Sequence, residues 1–315
     1  MRDWDSESPT LLVHTSGSTG KPKPMMVEKK RMVASATATC DFLGLKSGDT
    51  ALLCMPLDYI AGKMVVVRSI VRHMKLISVA PSSRPFATLS ESPDFAAVTP
   101  MQVYETMKDE RELGLMRGVR QLIIGGGAVS MDMATRLRAF PNAVWSTYGM
   151  TETLSHVAMR RLCGADASEW YTPLKGVAVS ADERGCLVID APTVCPERLT
   201  TNDIAEFDGD GANARFKIIG RADNTICSGG IKIQAEEVER RLADEIRRPF
   251  VVTWTPDDKL GQTVTLVIET GGETVDLKEV EKICKNVLPK YWVPRIYKSV
   301  DRIPRTETGK LKRRF

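Results

Sequence analysis

No Cys-x-x-Cys pair occurs in this 315-residue chain, and its three histidines are dispersed, so the ligand spacing of a zinc site is missing. The seven cysteines, at 40, 54, 163, 186, 195, 227 and 284, are odd in number and scattered. They read as small buried residues in a reducing compartment rather than as a disulfide framework. No apolar run approaches the roughly 20 residues that cross a bilayer. The charged start, Met1-Arg2-Asp3-Trp4-Asp5, lacks the pattern of a signal peptide. The formal net charge is only +4, so charge gives no sign of a nucleic-acid partner. The basic run at 310–314 is the local exception, readable as a solvated terminus or as a patch for nucleic acid or membrane. Internal repeats and low-complexity segments are also lacking. These absences fit a cytoplasmic location, with no membrane insertion. What remains is ordinary for a globular protein, with 43% hydrophobic and 27% charged residues on a chain long enough for one large or two moderate domains.

Short apolar runs alternate with helix-like stretches through the first half. Runs at 11–14, 51–55, 75–79, 94–99, 119–124 and 143–148 are separated by helical patterns near 30–43, 63–73, 101–108 and 131–140. That alternation predicts an α/β fold with a mostly parallel sheet. After about Arg160 the pattern changes to short strands at 186–190 and 215–219, with turn residues Asp208-Gly209-Asp210-Gly211 between them. A second unit is expected from about Arg221. There Val238, Leu242 and Ile246 recur at spacing four on a helix near 235–247, followed by strands at 250–255 and 264–269 and a helix near 277–288. The expected division is a large α/β domain at 1–221 and a small C-terminal α+β domain at 222–315.

Six segments carry candidate chemistry. Thr15-Ser16-Gly17-Ser18-Thr19-Gly20-Lys21-Pro22-Lys23 follows a predicted strand. Its glycines let backbone approach a phosphate, and its hydroxyls and lysines offer donors and positive charge. It is not a Walker A loop, which needs four residues between its first glycine and Gly-Lys; here only Ser18 and Thr19 intervene, and Pro22 follows. A flexible surface loop is the competing explanation. Tyr148-Gly149-Met150-Thr151-Glu152-Thr153 also follows a strand, at the end of an α/β sheet where ligands bind. Thr151 suits a phosphate oxygen and Glu152 suits Mg²⁺, a cation that prefers oxygen ligands; a strand-to-helix turn capped by Thr fits equally. Gly125-Gly126-Gly127, after another strand, is either an open edge for a flat base or a plain turn. Asp203 and Arg221, with Asp223 close by, suit the hydroxyls of a ribose, or form a surface ion pair on a solvated turn. Ser228-Gly229-Gly230-Ile231-Lys232-Ile233 precedes Glu236-Glu237-Val238-Glu239. Pro304-Arg305-Thr306-Glu307-Thr308-Gly309-Lys310 sets one lysine on a Gly-preceded loop, able to act as a swinging point charge or belonging to a basic tail.

In this order the six segments resemble the adenylate-forming superfamily, which includes acyl-CoA synthetases, firefly luciferase and peptide-synthetase adenylation domains. The likeness runs from Thr15 to Lys310. It implies that 15–23 is the phosphate loop, that Gly125, Gly126 and Gly127 meet adenine beside Tyr148, and that Thr151 and Glu152 serve the α-phosphate and Mg²⁺. Asp203 and Arg221 match the ribose-binding pair, Asp223 the hinge, and Lys310 the lysine of adenylation. Gly229, Gly230 and Lys232 match the segment that lines a coenzyme A channel. ATP, Mg²⁺, coenzyme A and a small carboxylic acid are the implied cofactors and partners, and the oligomeric state stays open, a homodimer included.

The stretch 228–239 further resembles o-succinylbenzoate–CoA ligases of menaquinone synthesis. In those, a Pro-Leu-x-His-x-x-Gly segment precedes an arginine that holds a substrate carboxylate. Here Pro56-Leu57-Asp58-Tyr59-Ile60-Ala61-Gly62 precedes Arg68, with Tyr59 at the histidine position. Arginine suits the non-reacting carboxylate of a diacid through bidentate bonding, whereas a helix-surface ion pair is the plainer role. Another aryl- or acyl-CoA ligase and a truncated, non-catalytic nucleotide-binding protein are the alternatives; the presence of both Glu152 and Lys310 speaks against the second. Only fourteen residues precede Thr15, where the superfamily carries an N-terminal subdomain. The expectation is a compact version or a shortened chain.

Overall fold

After a single helical turn, α1 (Arg2–Asp5), strands β1 (Thr10–His14) and β2 (Pro24–Glu28) pair antiparallel, from Thr10 opposite Glu28 to His14 opposite Pro24. The structure, a computed structural model, describes residues 2–14, 24–211, 214–305 and 312–313. The expected phosphate loop at 15–23 and Lys310 lie outside the described residues. The first strand and the helix beginning near residue 30 stand as expected; β2, five residues with no turn signal before the helix, has no separate mark in the sequence because it borders that helix directly.

The described chain divides into two units. The first comprises Met1–Ser180, Val188–Leu199 and Phe207–Lys217; the second comprises Ala181–Leu187, Thr200–Glu206 and Ile218–Phe315. Within the first unit follow α2 (Lys29–Leu43), β3 (Thr50–Leu53), α3 (Ile60–Arg72), β4 (Lys75–Ser78), β5 (Phe95–Val98), α4 (Pro100–Thr106), α5 (Glu110–Gly118), β6 (Gln121–Ile124), α6 (Met131–Leu137), β7 (Ala143–Gly149), β8 (His156–Arg161) and β9 (Thr172–Pro173). The strands form one sheet in the order β4-β3-β5-β6-β7-β8-β9. β3 to β7 run parallel, and β8 and β9 are antiparallel additions. The α/β class expected from the alternation is the one observed.

Side chains from successive strand residues fall on opposite faces, as the pleat requires. Leu52, Ala96, Val98, Leu122, Ile124 and Val144 pack with Val103, Leu113, Met116, Met133 and Leu137, from α4, α5 and α6. Ala51, Leu53, Phe95, Ala97 and Ile123 pack with Cys40 and Leu43 of α2 and Val65 of α3. Both faces are covered, which is why the strands read as nearly continuous apolar runs rather than as an alternation. Each fully buried aliphatic side chain here contributes about 1.5–3 kcal/mol. The order reverses between β3 and β5: the chain goes outward from β3 to β4 and returns to β5 on the other side. A reversal of this kind opens a crevice at the carboxyl ends of the strands.

The remaining strands before residue 222 are β10 (Ala178–Ala181), β11 (Cys186–Asp190), β12 (Leu199–Asp208) and β13 (Arg215–Arg221), in a sheet of that order. β12 was not expected as a strand, and Thr201-Asn202-Asp203 lies inside its ten residues, which rules out the competing reading of a solvated turn at Asp203. Thr, Asn and Asp read as turn formers locally, but strand preference follows the neighbours available for pairing.

The second unit continues with β14 (Thr225–Ser228), β15 (Ile231–Gln234), α7 (Ala235–Leu242), β16 (Phe250–Asp257), β17 (Gly261–Glu269), α8 (Leu277–Val287) and β18 (Ile296–Val300). Its sheet has the order β15-β14-β17-β16, with β18 parallel to β17. Val238 and Leu242 of α7 and Val280 and Cys284 of α8 pack on Ile226, Ile233, Val252, Val264, Leu266 and Ile268. α7 stops at Leu242, short of the expected end near 247. Ile246 is nonetheless buried, and its N–H bonds the Leu242 carbonyl at 2.9 Å, so the apolar spacing is real while its last turn is irregular. Six of the cysteines are buried and free; Cys227 is exposed, against expectation. Among the described residues no helix is long and apolar enough to cross a membrane.

Candidate active site

The carboxyl ends of β3, β5, β6 and β7 lie side by side and carry most of the residues singled out in the first unit. Gly125 follows β6, where a Cβ would come within 2.5 Å of Thr147 Oγ1 on β7. Thr147 Oγ1 donates to the Ile124 carbonyl at 3.2 Å, which ties these strand ends together. Gly126 has φ +78°, a conformation that suits glycine. A Cβ on Gly127 would touch the ring of Pro100, at the start of α4. The three glycines therefore leave an open strip of backbone between two strand ends. Tyr148 stands beside them, half-buried, its ring edge-on to Phe216 at 5.2 Å and to Tyr171 at 5.9 Å.

β7 passes into β8 through a tight antiparallel turn, not into a helix, so Thr151 is no helix cap. Gly149 allows that turn: a Cβ there would come within 2.3 Å of the Ser155 carbonyl and 2.5 Å of His156 Cα. Thr153 Oγ1 holds the turn from inside, accepting from Met150 N at 3.0 Å and placed 2.7 Å from the Ser155 carbonyl. Thr151 is buried and its carbonyl accepts from Leu154 N at 2.8 Å. Glu152 is exposed and has no ion pair among the described residues. A free carboxylate beside a hydroxyl fits Mg²⁺, which is usually held by one or two carboxylates together with substrate phosphates.

The same turn reaches the candidate acid site. Arg68, on α3, is only 2% exposed. Its Nη2 donates to Ser155 Oγ at 2.6 Å, and its Nε is buried with no partner among the described residues. No carboxylate among the described residues pairs with it, and burial pulls its pKa down to about 10. A buried cation left without a counter-charge is costly unless an anion joins it. The surface-pair role is thereby excluded. Ser155 and His156 were missed in the sequence; the only local signal was their position just after Thr151-Glu152-Thr153. The Pro56–Gly62 stretch lies at the end of β3, and Gly62 is required there because a Cβ would come within 2.4 Å of the Pro56 carbonyl. Tyr59 is 43% exposed and bridges in parallel to His14, the last described residue before the 15–23 segment.

The other candidates belong to the second unit. Arg221 Nη1 donates to Asp203 Oδ1 at 3.4 Å, and Nη2 to Asp223 Oδ2 at 2.9 Å. Asp223 lies in a short 3-10 turn, Ala222–Asn224. Gly229 (φ +58°) and Gly230 (φ +82°) form the two-residue turn between β14 and β15, the geometry that favours two glycines. Lys232 is exposed opposite Cys227. Ser228, Gly229 and Ile231 line a cavity of about 150 Å³ with Lys290, Tyr291 and Arg295.

The profile of AMP-binding enzymes matches residues 1–193. The chain belongs to the AMP-binding enzyme family. The 2-succinylbenzoate–CoA ligase of Bacillus licheniformis is 28% identical, aligned over 96% of this chain and 68% of that protein. An acyl-CoA synthetase (AMP-forming)/AMP-acid ligase II-like protein from Dyadobacter fermentans superposes with a TM-score of 0.67 at 35% identity, covering 99% of this chain and 90% of that one. The O-succinylbenzoate coenzyme A synthetase of Bacillus subtilis, solved with ATP and magnesium ion, superposes at 0.76 with 22% identity, covering 96% of this chain and 68% of that chain, a likeness of fold. The large α/β unit followed by a small unit agrees with these enzymes in fold.

Proposed function

We propose that this AMP-binding enzyme is an ATP-dependent acid–CoA ligase that works through an acyl-adenylate, with o-succinylbenzoate as its acid, in menaquinone synthesis in the cytoplasm. The observation that carries the choice of acid is Arg68, a buried guanidinium with no carboxylate partner among the described residues, reached from the same turn as Glu152. A diacid needs one carboxylate to react and a cation to hold the other. The names of the similar ligases support the same acid.

In the first half-reaction one carboxylate oxygen of the acid attacks the α-phosphorus of ATP. The bond from that phosphorus to the bridging oxygen breaks, and pyrophosphate leaves. Adenine rests on the Gly125–Gly127 strip beside Tyr148, and Asp203, steered by Arg221, accepts from the ribose. Thr151 donates to the α-phosphate. Lys21 and Lys23, in the segment with Thr15, Ser16, Gly17, Ser18, Thr19 and Gly20, and Lys310 offset the charge that builds on the phosphates. This is catalysis by positioning and electrostatics. Glu152 would hold Mg²⁺, which when bound shields the phosphate oxygens. In the second half-reaction the domain from 222 to 315 turns about Asp223 and withdraws Lys310. The hairpin of Gly229, Gly230 and Lys232 then lines the path of the pantetheine thiol, which attacks the acyl carbon as AMP leaves. A motion of this kind gates the two steps.

Pyrophosphate release measured over a panel of acids tests the reading. Release with o-succinylbenzoate and not with monocarboxylic aryl or acyl acids supports it. Release with another acid alone moves the chain to a different acid–CoA ligase. ATP binding without release for any acid sinks the enzyme reading.

A further inference from the structure

Behind Arg68 lies a continuous chain of hydrogen bonds that one assignment of protons satisfies from end to end. Thr39 Oγ1, on α2, donates its only proton to the Ser35 carbonyl at 3.1 Å. With its proton there, it accepts at its other contact, 2.9 Å from His156 Nε2. That places the imidazole proton on Nε2 and leaves Nδ1 as a lone pair. Nδ1 is 3.3 Å from Ser155 Oγ, so the Ser155 proton points to it. The Ser155 oxygen then presents a lone pair to Arg68, whose Nη2 donates to it at 2.6 Å. Thr39, Arg68 and His156 are all buried. Arg68 on α3, and Lys175, which lines a small cavity with His156, are the charged groups around the ring. Burial, and next the Arg68 charge, hold His156 well below its ordinary pKa, so it stays neutral with one acceptor nitrogen.

We propose that His156 is a positioning residue for the acid: through Ser155 it fixes the orientation of the Arg68 guanidinium, so that the unpartnered Nε–H stays aimed at an incoming carboxylate. The inference rests on reading Arg68 as the holder of that carboxylate. In solution the neutral ring works as a directional spacer. It takes the serine proton on one side and returns its own to Thr39 on the other, and without it Ser155 is free to rotate and Arg68 to choose another rotamer. Among the described residues the side-chain atoms of this chain make no hydrogen bond to Thr151 or Glu152, so its loss is expected to act on acid binding.

The test is steady-state pyrophosphate release by the full chain with o-succinylbenzoate. His156→Phe keeps the shape of the ring and removes both polar atoms. It is expected to raise KM for the acid about tenfold, the worth of one charge-assisted hydrogen bond, with kcat and KM for ATP within about twofold of the parent, as expected of lost uniform binding. Thr39→Val, which removes the acceptor that sets the tautomer, should move the acid KM in the same direction by about threefold, the worth of a weak hydrogen bond. His156→Gln, which keeps a donor and an acceptor, should recover part of the loss. Equal effects on both KM values, a fall in kcat at unchanged acid KM, or no effect would overturn the proposal. If His156→Phe does not fold, Thr39→Val decides by the same split. Arg68→Met separates the two levels. If it raises the acid KM while the His156 and Thr39 variants do not, only the positioning role fails; if it too leaves the acid KM unchanged, the reading of Arg68 fails first.

Discussion

Arg313 grips Glu239 with both arms of its guanidinium: Nη2 meets Oε2 at 2.8 Å and Nη1 contacts Oε1. Nη1 also donates to the Val252 carbonyl at 3.0 Å, and Glu239 Oε1 accepts the Val252 N–H at 2.6 Å. Lys312 N bonds the Pro304 carbonyl at 2.8 Å, and Arg313 fastens this stretch to α7 and β16. Each side chain is about 20% exposed, and burial pushes the Glu239 carboxyl up while Arg313 pulls it back. Arg313→Ala should lower stability by about 1–3 kcal/mol, since it strands a mostly buried carboxylate. Arg313→Lys should recover less than half, because a point charge cannot replace the fork. Urea unfolding of the full chain reads both.

Lys310→Ala should abolish pyrophosphate release yet largely spare thioester formation from supplied acyl-adenylate. Both half-reactions are read by separating products after mixing. Equal loss of the two contradicts the assignment of Lys310 to adenylation and with it the turn about Asp223.

Arg68→Met should act in opposite directions on stability and activity. The buried charge has no counter-ion among the described residues, so an apolar side chain of similar length should raise stability by about 1–3 kcal/mol. Activation of o-succinylbenzoate should fall by two orders of magnitude or more, about the worth of a charge-assisted contact and the desolvation that goes with it. A residue held only for structure would lose both together. Thermal unfolding and pyrophosphate release on one preparation decide.

His156 makes stability depend on pH in a definite sense. Its pKa is depressed in the folded chain and near 6.5 in the unfolded one. Above about pH 6.5 the group is neutral in both states and adds no slope. Below that pH the unfolded chain takes up a proton that the folded chain refuses, so stability falls as pH drops, by up to about 1.4 kcal/mol per pH unit, until the folded pKa is reached. His156→Phe should remove this part of the slope, seen as the difference between parent and variant unfolding curves from pH 7 to about pH 5. Parallel curves would show that the ring titrates in the fold as it does in the unfolded chain.

The residues alone determined much. Short apolar runs alternating with helical patterns gave the α/β class, because parallel neighbours in a sheet need a helical crossover between them. The order of the short segments gave the family, and the glycines of Gly125–Gly127 and Gly229–Gly230 stand where the backbone needs them. Polar strands stayed hidden: β12 reads locally as a turn, and only pairing with its neighbours makes Thr201-Asn202-Asp203 extended. Ser155 and His156 were illegible for a related reason. They lie 87 residues or more from Arg68 in sequence, and a hydrogen bond between such positions exists only after β7, β8 and α3 have packed. The sequence placed an arginine at 68; the tertiary structure decided that it is buried without a counter-charge among the described residues, since burial belongs to the neighbours a fold assembles and not to the residue.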